Sequence, residues 1–154
     1  MRYGWMAAAV LLAGAAAAEK TEPVLGLWLT TGGESRVEIT QGADGKLTGK
    51  IVWLADVNYP AGDAEAGKPK HDRHNPDAAK QAAPIVGLEI LQGFTKASDG
   101  TWTGGTVYDP KNGKTYKCKM SLSEDGKQLN VRGFIGVSLM GRTEVWDRYT
   151  PPAK

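Results

Sequence analysis

Between Val24 and Tyr149 the chain is interrupted at short intervals by glycine-bearing turn signals, and this punctuation restricts the fold more than any other feature. Ala43-Asp44-Gly45 and Glu124-Asp125-Gly126 carry the Asp-Gly pair that supplies the positive-φ geometry of tight hairpins. Ala97-Ser98-Asp99-Gly100 is a third such turn. In Asp109-Pro110-Lys111-Asn112-Gly113 the proline presets φ and Asn-Gly tolerates a positive one. The runs between the turns alternate apolar and polar residues, as in Val37 and Ile39 against Arg36, Glu38 and Thr40. With 20 glycines and little helical periodicity, the pattern predicts an all-β domain.

Eight strands are expected: Val24 to Thr30, Ser35 to Gln41, Lys46 to Leu54, Ile85 to Phe94, Thr101 to Tyr108, Lys114 to Leu122, Gln128 to Phe134 and Thr143 to Tyr149. Within the third, Leu47, Ile51 and Trp53 are expected to share one face. Tight turns make sequential neighbours antiparallel. An up-and-down barrel is their natural closure, because it removes sheet edges.

Ala55 to Pro84 breaks the rhythm with a long polar stretch that holds four prolines and both histidines. A connection of that length is often functional. Asn75-Pro76-Asp77-Ala78-Ala79-Lys80-Gln81 reads as one or two helical turns with Asn75 as N-cap and Pro76 at the first helical position.

Met1 to Ala18 has the form of a secretory signal peptide. Arg2 is the basic n-region, Trp5 to Ala13 the apolar h-region and Ala16-Ala17-Ala18 the small-residue cleavage site. Its removal leaves one domain, residues 19–154, expected in the periplasm or secreted. No later segment approaches the ~20 apolar residues of a spanning helix, so no stable membrane insertion is expected after cleavage. The 19 basic and 17 acidic residues nearly balance, without the basic stripe of a nucleic-acid binder. Cys118 is the single cysteine, so no internal disulfide can form, and alternation places it with Tyr116 and Met120 on an apolar face.

The ordered motifs resemble a bacterial secreted family known as domain of unknown function 2147. They run from Gly26-Leu27-Trp28 through Gly49-Lys50-Ile51, Asn75-Pro76-Asp77 and Pro84-Ile85-Val86-Gly87-Leu88. Trp102-Thr103-Gly104-Gly105-Thr106-Val107-Tyr108-Asp109-Pro110 and Gly113-Lys114-Thr115-Tyr116 follow. Arg132-Gly133-Phe134-Ile135-Gly136 and Gly141-Arg142-Thr143-Glu144-Val145-Trp146-Asp147-Arg148 complete the set. The resemblance implies a lipocalin-like (calycin) barrel and no established activity. It also implies that Trp28 and Arg148 form the structural seam, a guanidinium stacked on an indole where the last strand meets the first. Members often carry arginines after Asn-Pro-Asp, whereas this chain reads Ala79-Lys80-Gln81-Ala82-Ala83-Pro84. An anion-binding role for that segment is therefore not expected.

His71-Asp72-Arg73-His74, with Asp77 nearby, has the donor types of a zinc or copper site, but no regular element fixes the spacing. A solvated loop outranks it, and neither a metal nor another cofactor is expected. Asp77 reads as a cap before it reads as a catalytic group. Arg132 lies out of phase with Leu129, Val131 and Gly133, which puts it on the outer face. An inward Arg132 would need a carboxylate such as Glu89, or a bound anion.

No nucleophile triad, phosphate loop or paired-carboxylate motif stands out, so no catalytic residue is assigned and an enzyme ranks last. First comes a binding protein for a small, largely apolar ligand, with Trp53, Trp102, Tyr108, Asp77 and Arg132 as candidate contacts. The alternative is an interaction module of the cell envelope with a filled barrel. Its contact surface would be the apolar run Phe134 to Gly141, which otherwise plugs a barrel end.

Overall fold

The computed structural model describes residues 22–137 and 140–154. The predicted signal peptide lies outside the described residues, as do Ser138 and Leu139 of the apolar run. Eight antiparallel strands close into an up-and-down barrel in sequence order. They are β1 (Gly26–Leu29), β2 (Ser35–Gln41), β3 (Leu47–Leu54), β4 (Glu89–Lys96), β5 (Trp102–Asp109), β6 (Lys114–Leu122), β7 (Gln128–Phe134) and β8 (Gly141–Arg148). Short 3-10 turns at Thr31–Gly33 and Ala78–Lys80 interrupt the connections. Among the described residues no helix is long and apolar enough to cross a membrane.

This topology sorts the connections by end. The β2–β3, β4–β5 and β6–β7 turns gather at one end with Glu22 and Tyr149. The Thr31–Gly33 turn, the long β3–β4 loop, the β5–β6 turn and the β7–β8 loop gather at the other. The first end is closed by its own side chains. Trp28, Leu47, Leu91, Phe94, Trp102, Met120 and Leu129 are buried there, in a core that continues through Ile51, Val131 and Trp146 toward the other end. Gly105 makes room for it: a Cβ at that position would lie 2.5 Å from the Phe94 ring. Packing of this density is sensitive to a single methyl group.

Closure of the sheet rests on a narrow seam. β1 meets β8 at Trp28 opposite Arg148 and Leu29 opposite Asp147, and Tyr149 N just beyond β8 donates to Leu27 O at 2.9 Å. The Arg148 guanidinium lies 4.2 Å above the Trp28 ring. Its Nε donates to Gly126 O at 2.9 Å, Nη1 to Leu25 O at 3.2 Å, and Nη2 to Pro23 O. Trp28 Nε1 donates in turn to Val24 O at 2.9 Å. One planar fork thus ties the N-terminal approach to β1, the β6–β7 turn and β8 together. A lysine, with a single nitrogen, has no such reach.

Three expectations from local pattern are corrected. Trp53 does not share a face with Leu47 and Ile51. Val37 pairs with Ile51 and Arg36 with Trp53, so a β-bulge absorbs Val52 and turns Trp53 outward. There the Arg36 guanidinium is held between Trp53, at 4.0 Å, and Tyr149, at 3.9 Å. The fourth strand begins at Glu89 rather than Ile85, because Ile85 to Leu88 makes a turn (Leu88 N to Ile85 O, 3.1 Å) around Gly87, at φ 99°. The short turn in the long loop starts two residues later than expected. Asp77, not Asn75, caps it by accepting from Ala79 N at 3.0 Å.

Replacing Arg148 by methionine keeps the apolar stem but strands three carbonyls. The expected cost is about 2–4 kcal/mol in urea unfolding, with the m-value unchanged. A cost under about 0.5 kcal/mol, the range of an ordinary surface substitution, would show that the seam does not depend on this contact.

Candidate functional site

The other end of the barrel is open. Its inner wall carries Ile51 on β3, Val107 on β5, Tyr116 on β6, Val131 and Gly133 on β7, and Glu144 and Trp146 on β8, with Ile85 and Ile90 adjoining. These residues form the inner part of a cavity of about 1320 Å³ that runs out to solvent between the loops, where Glu34, Asp63, Lys70, Arg73 and Lys111 also border it. Two features of the strands create the space. β1 is only four residues long, so above Leu29 no strand pairs with the free side of β8. Thr31 Oγ1, donating to Val145 O at 3.0 Å, is a single clasp across that gap. Gly133, facing inward between Val131 and the rim, leaves a side chain's volume empty.

Glu144 places a carboxylate on this mostly apolar wall. Val131 opposes it, and Leu129 opposes the buried Trp146, which puts Glu144 on the inner face. Its Oε2 accepts from Trp146 Nε1 at 3.4 Å and its Oε1 lies 3.7 Å from Arg142 Nη2. The Arg142 side chain is 86% exposed at the rim, so it leaves the carboxylate accessible from the cavity.

The long loop folds over one side of the opening and is held by side chains rather than by regular structure. Asp72 is fully buried. It accepts from Tyr108 Oη at 2.6 Å and from Asn75 Nδ2 at 2.8 Å, and its own N–H donates to Ala83 O at 2.8 Å. Burial, reinforced by the Asp72 carboxylate, pushes the Tyr108 phenol well above its ordinary range, so it stays a donor. Asn75 Oδ1 also accepts from Asp77 N at 2.9 Å, so Asn75 and Asp77 set the turn while Asn75 props Asp72. The loop backbone then lies directly on the β5–β6 turn. A Cβ on Gly113, at φ 71°, would fall 1.9 Å from His74 O.

A second, more exposed network spans the outer part of the loop. Arg73 clasps Asp63 with two bonds of 2.9 Å and stacks 4.1 Å from the Tyr59 ring. Arg73 holds the Asp63 carboxyl down to about 2. The ring of His71 bridges Gln81 O through Nδ1 and the Glu65 carboxylate, at 3.0 Å, through Nε2. With an acceptor at each nitrogen, the doubly protonated ring is favoured. The His71 pKa is raised, chiefly by the Gln81 carbonyl and then by Glu65, while that of Glu65 is lowered chiefly by His71.

The side chains singled out from the sequence fall in separate places. Tyr108 lines the cavity and anchors the loop. Trp102 is buried in the closed-end cluster, and Trp53 is outside with Arg36. Asp77 is exposed at its cap, and Arg132 is on the outer face, donating to Thr143 Oγ1 at 2.9 Å. Of the five candidate ligand contacts, therefore, Trp53, Trp102, Asp77 and Arg132 lie off the cavity wall. Glu144, Gly133 and the contact between Asp72 and Tyr108 do not stand out in the sequence. Glu144 had a usable signal, since strand parity with Trp146 assigns both to one face. His71 is engaged by Glu65 and Gln81, and among the described residues no group of three or more His, Cys, Asp or Glu side chains is placed to hold a metal ion. Cys118 is buried, and that burial pushes its thiol up to about 12.

A family model described as an uncharacterized protein conserved in bacteria (DUF2147) matches residues 26–148. The chain belongs to this family. No curated protein matches it. Among solved structures, protein HP1028 from Helicobacter pylori, described as belonging to the lipocalin family, aligns over 84% of this chain and 85% of its own. Its TM-score is 0.69 at 24% identity. That likeness shows the fold, a lipocalin-like barrel.

The His71 bridge makes loop docking pH-dependent. Because its folded pKa is raised, its contribution is fully present below the ordinary value near 6.5 and is lost as pH rises through the folded value. Glu65, with a lowered pKa, contributes above its ordinary value of 4.5 and loses that contribution in more acid solution. Proteolytic nicking between Lys68 and Lys80 should accelerate from about pH 6 to about pH 9 once corrected for the protease's own pH dependence. His71→Gln should remove the dependence. A loop equally protected across that range would contradict the bridge.

Proposed function

We propose that this protein is an exported carrier or sensor that binds a small, largely apolar molecule in the open half of its barrel. The observation that carries the reading is the cavity itself: about 1320 Å³, floored by Ile51, Val107, Val131 and Trp146. Small-molecule pockets are ~300–1,000 Å³ and apolar with a few placed polar groups, and the volume here exceeds that range because it includes the solvent-open space between the loops. Glu144 and Arg142 supply those groups at the wall, so the favoured ligand is an amphiphile with its apolar part inward and a hydrogen-bonding head toward the rim. The lipocalin-like fold supports binding by analogy of architecture, a weaker warrant than the cavity. A periplasmic location is supported by the basic, apolar and alanine-rich order of Met1 to Ala18.

Filling the cavity without disturbing the wall tests this reading. A Cβ on Gly133 would meet only ordinary neighbours, Val107 Cγ1 at 3.4 Å and Tyr116 Cβ at 3.6 Å. Gly133→Leu should therefore fold and place its branch in the cavity. Titration with the fluorescent apolar probe N-phenyl-1-naphthylamine should show saturable binding by the wild type. Affinity should fall about tenfold or more in Gly133→Leu, with an unchanged circular dichroism spectrum. No saturable binding by the wild type, or equal binding by both, would overturn the proposal.

A further inference from the structure

The β7–β8 loop rises at the rim of the open end, and its described apolar side chains are in water. Ile135 is 71% exposed, Val137 62% and Met140 76%. Large apolar side chains grouped at a tip in this way mark a contact surface. Strand register shows what surrounds them. Lys117 stands opposite Phe134 at the base of the loop, and Lys119 stands opposite Arg132 one step further down. Because Cys118 and Met120 point into the core, Lys117 and Lys119 point outward, and Arg132 shares that face through its bond to Thr143. Among the described residues, the outer positions of β6, β7 and β8 carry one carboxylate, Asp147. It lies at the closed end, opposite Gln128. Asp99 on the β4–β5 turn counters Lys119 in part, and on the inner side of the rim Arg142 lies 3.7 Å from Glu144, so Lys117 and Arg132 are the basic side chains nearest the tip on the outer face.

The protein as a whole is nearly neutral, at a formal +2. A single-sign basic band directly behind an apolar tip is therefore a local arrangement and not the average surface. We infer that this tip docks on an anionic lipid bilayer, with Ile135, Val137 and Met140 in the headgroup boundary and Lys117, Lys119 and Arg132 against the lipid phosphates. Charge complementarity selects the bilayer. Exposed apolar side chains in front of outward-facing basic ones suit a deformable anionic surface, which takes up the first in its headgroup boundary and the second at its phosphates. The cavity opens beside the tip, with Ile135 and Met140 on its rim, so docking presents the opening to the membrane. The inference stands on the surface alone and does not need the cavity to be filled.

Co-sedimentation with vesicles tests it, comparing phosphatidylcholine alone with the same lipid containing about a third phosphatidylglycerol. The wild type should bind the anionic vesicles and be released by salt. Each basic side chain near such a surface contributes about fivefold, so Lys117→Glu with Lys119→Glu should lower partitioning by about tenfold or more. Ile135→Ser with Val137→Ser should lower it comparably, and unchanged thermal unfolding would show that all variants are folded. Gly133→Leu should bind vesicles like the wild type, which separates this inference from ligand binding in the cavity. Equal binding to both vesicle types, no binding to either, or indifference to the charge reversals would overturn it. So would binding confined to native envelope membranes and abolished when their proteins are stripped by trypsin, because the partner would then be a protein.

Discussion

The guanidinium of Arg148 is the contact on which the rest of the barrel depends. Eight strands joined by tight turns form a sheet readily, but a closed barrel also requires the last strand to find the first. Here two residue pairs join β1 to β8, with one more backbone bond from Tyr149 N to Leu27 O. Arg148 compensates with bonds to three backbone carbonyls and a stacking contact on Trp28. Because the indole is itself fixed to Val24 O, the seam, the closed-end cluster and the approach to β1 form one unit.

A seam confined to one end has a consequence at the other. Above Leu29 the free side of β8 is not covered by strand, and its inner residues Glu144 and Arg142 border a widening cavity. The up-and-down topology delivers every long or chemically varied connection to this same end. Trp28, Phe94 and Trp102 give the closed half rigidity, while the open half holds the loops, the accessible carboxylate and the exposed apolar tip. The division matches the general rule that a stiff scaffold carries variable connections at its functional edge.

The architecture was legible because it is written in local signals. Asp-Gly and Asn-Gly turns and period-two alternation report directly on hairpins, and eight hairpin-linked strands leave few closures. Arg132 could be placed outside for the same reason. Trp53 was misplaced because a bulge at Val52 reverses parity, and no residue type announces a bulge there. From the sequence Trp102 reads as a ligand contact, because nothing local says at which end of a barrel a wall residue sits. The Asp72–Tyr108 bond was invisible, since it joins positions 36 residues apart through a loop without periodicity. Asn75-Pro76-Asp77 stood out as a motif, but its work of propping a buried carboxylate emerges only in three dimensions.

The two halves of the barrel differ in kind, one packed with side chains and one open to solvent. The indole N–H resonances report on this directly, because all three tryptophans belong to the buried core but only Trp146 among them also lines the cavity. In a nitrogen-15 correlation spectrum titrated with a single-chain amphiphile below its micelle concentration, the Trp146 indole signal should move saturably. Those of Trp28 and Trp102 should stay where they are. If no indole signal moves, or if the three move together, the division of the barrel into a sealed and a receptive half is wrong.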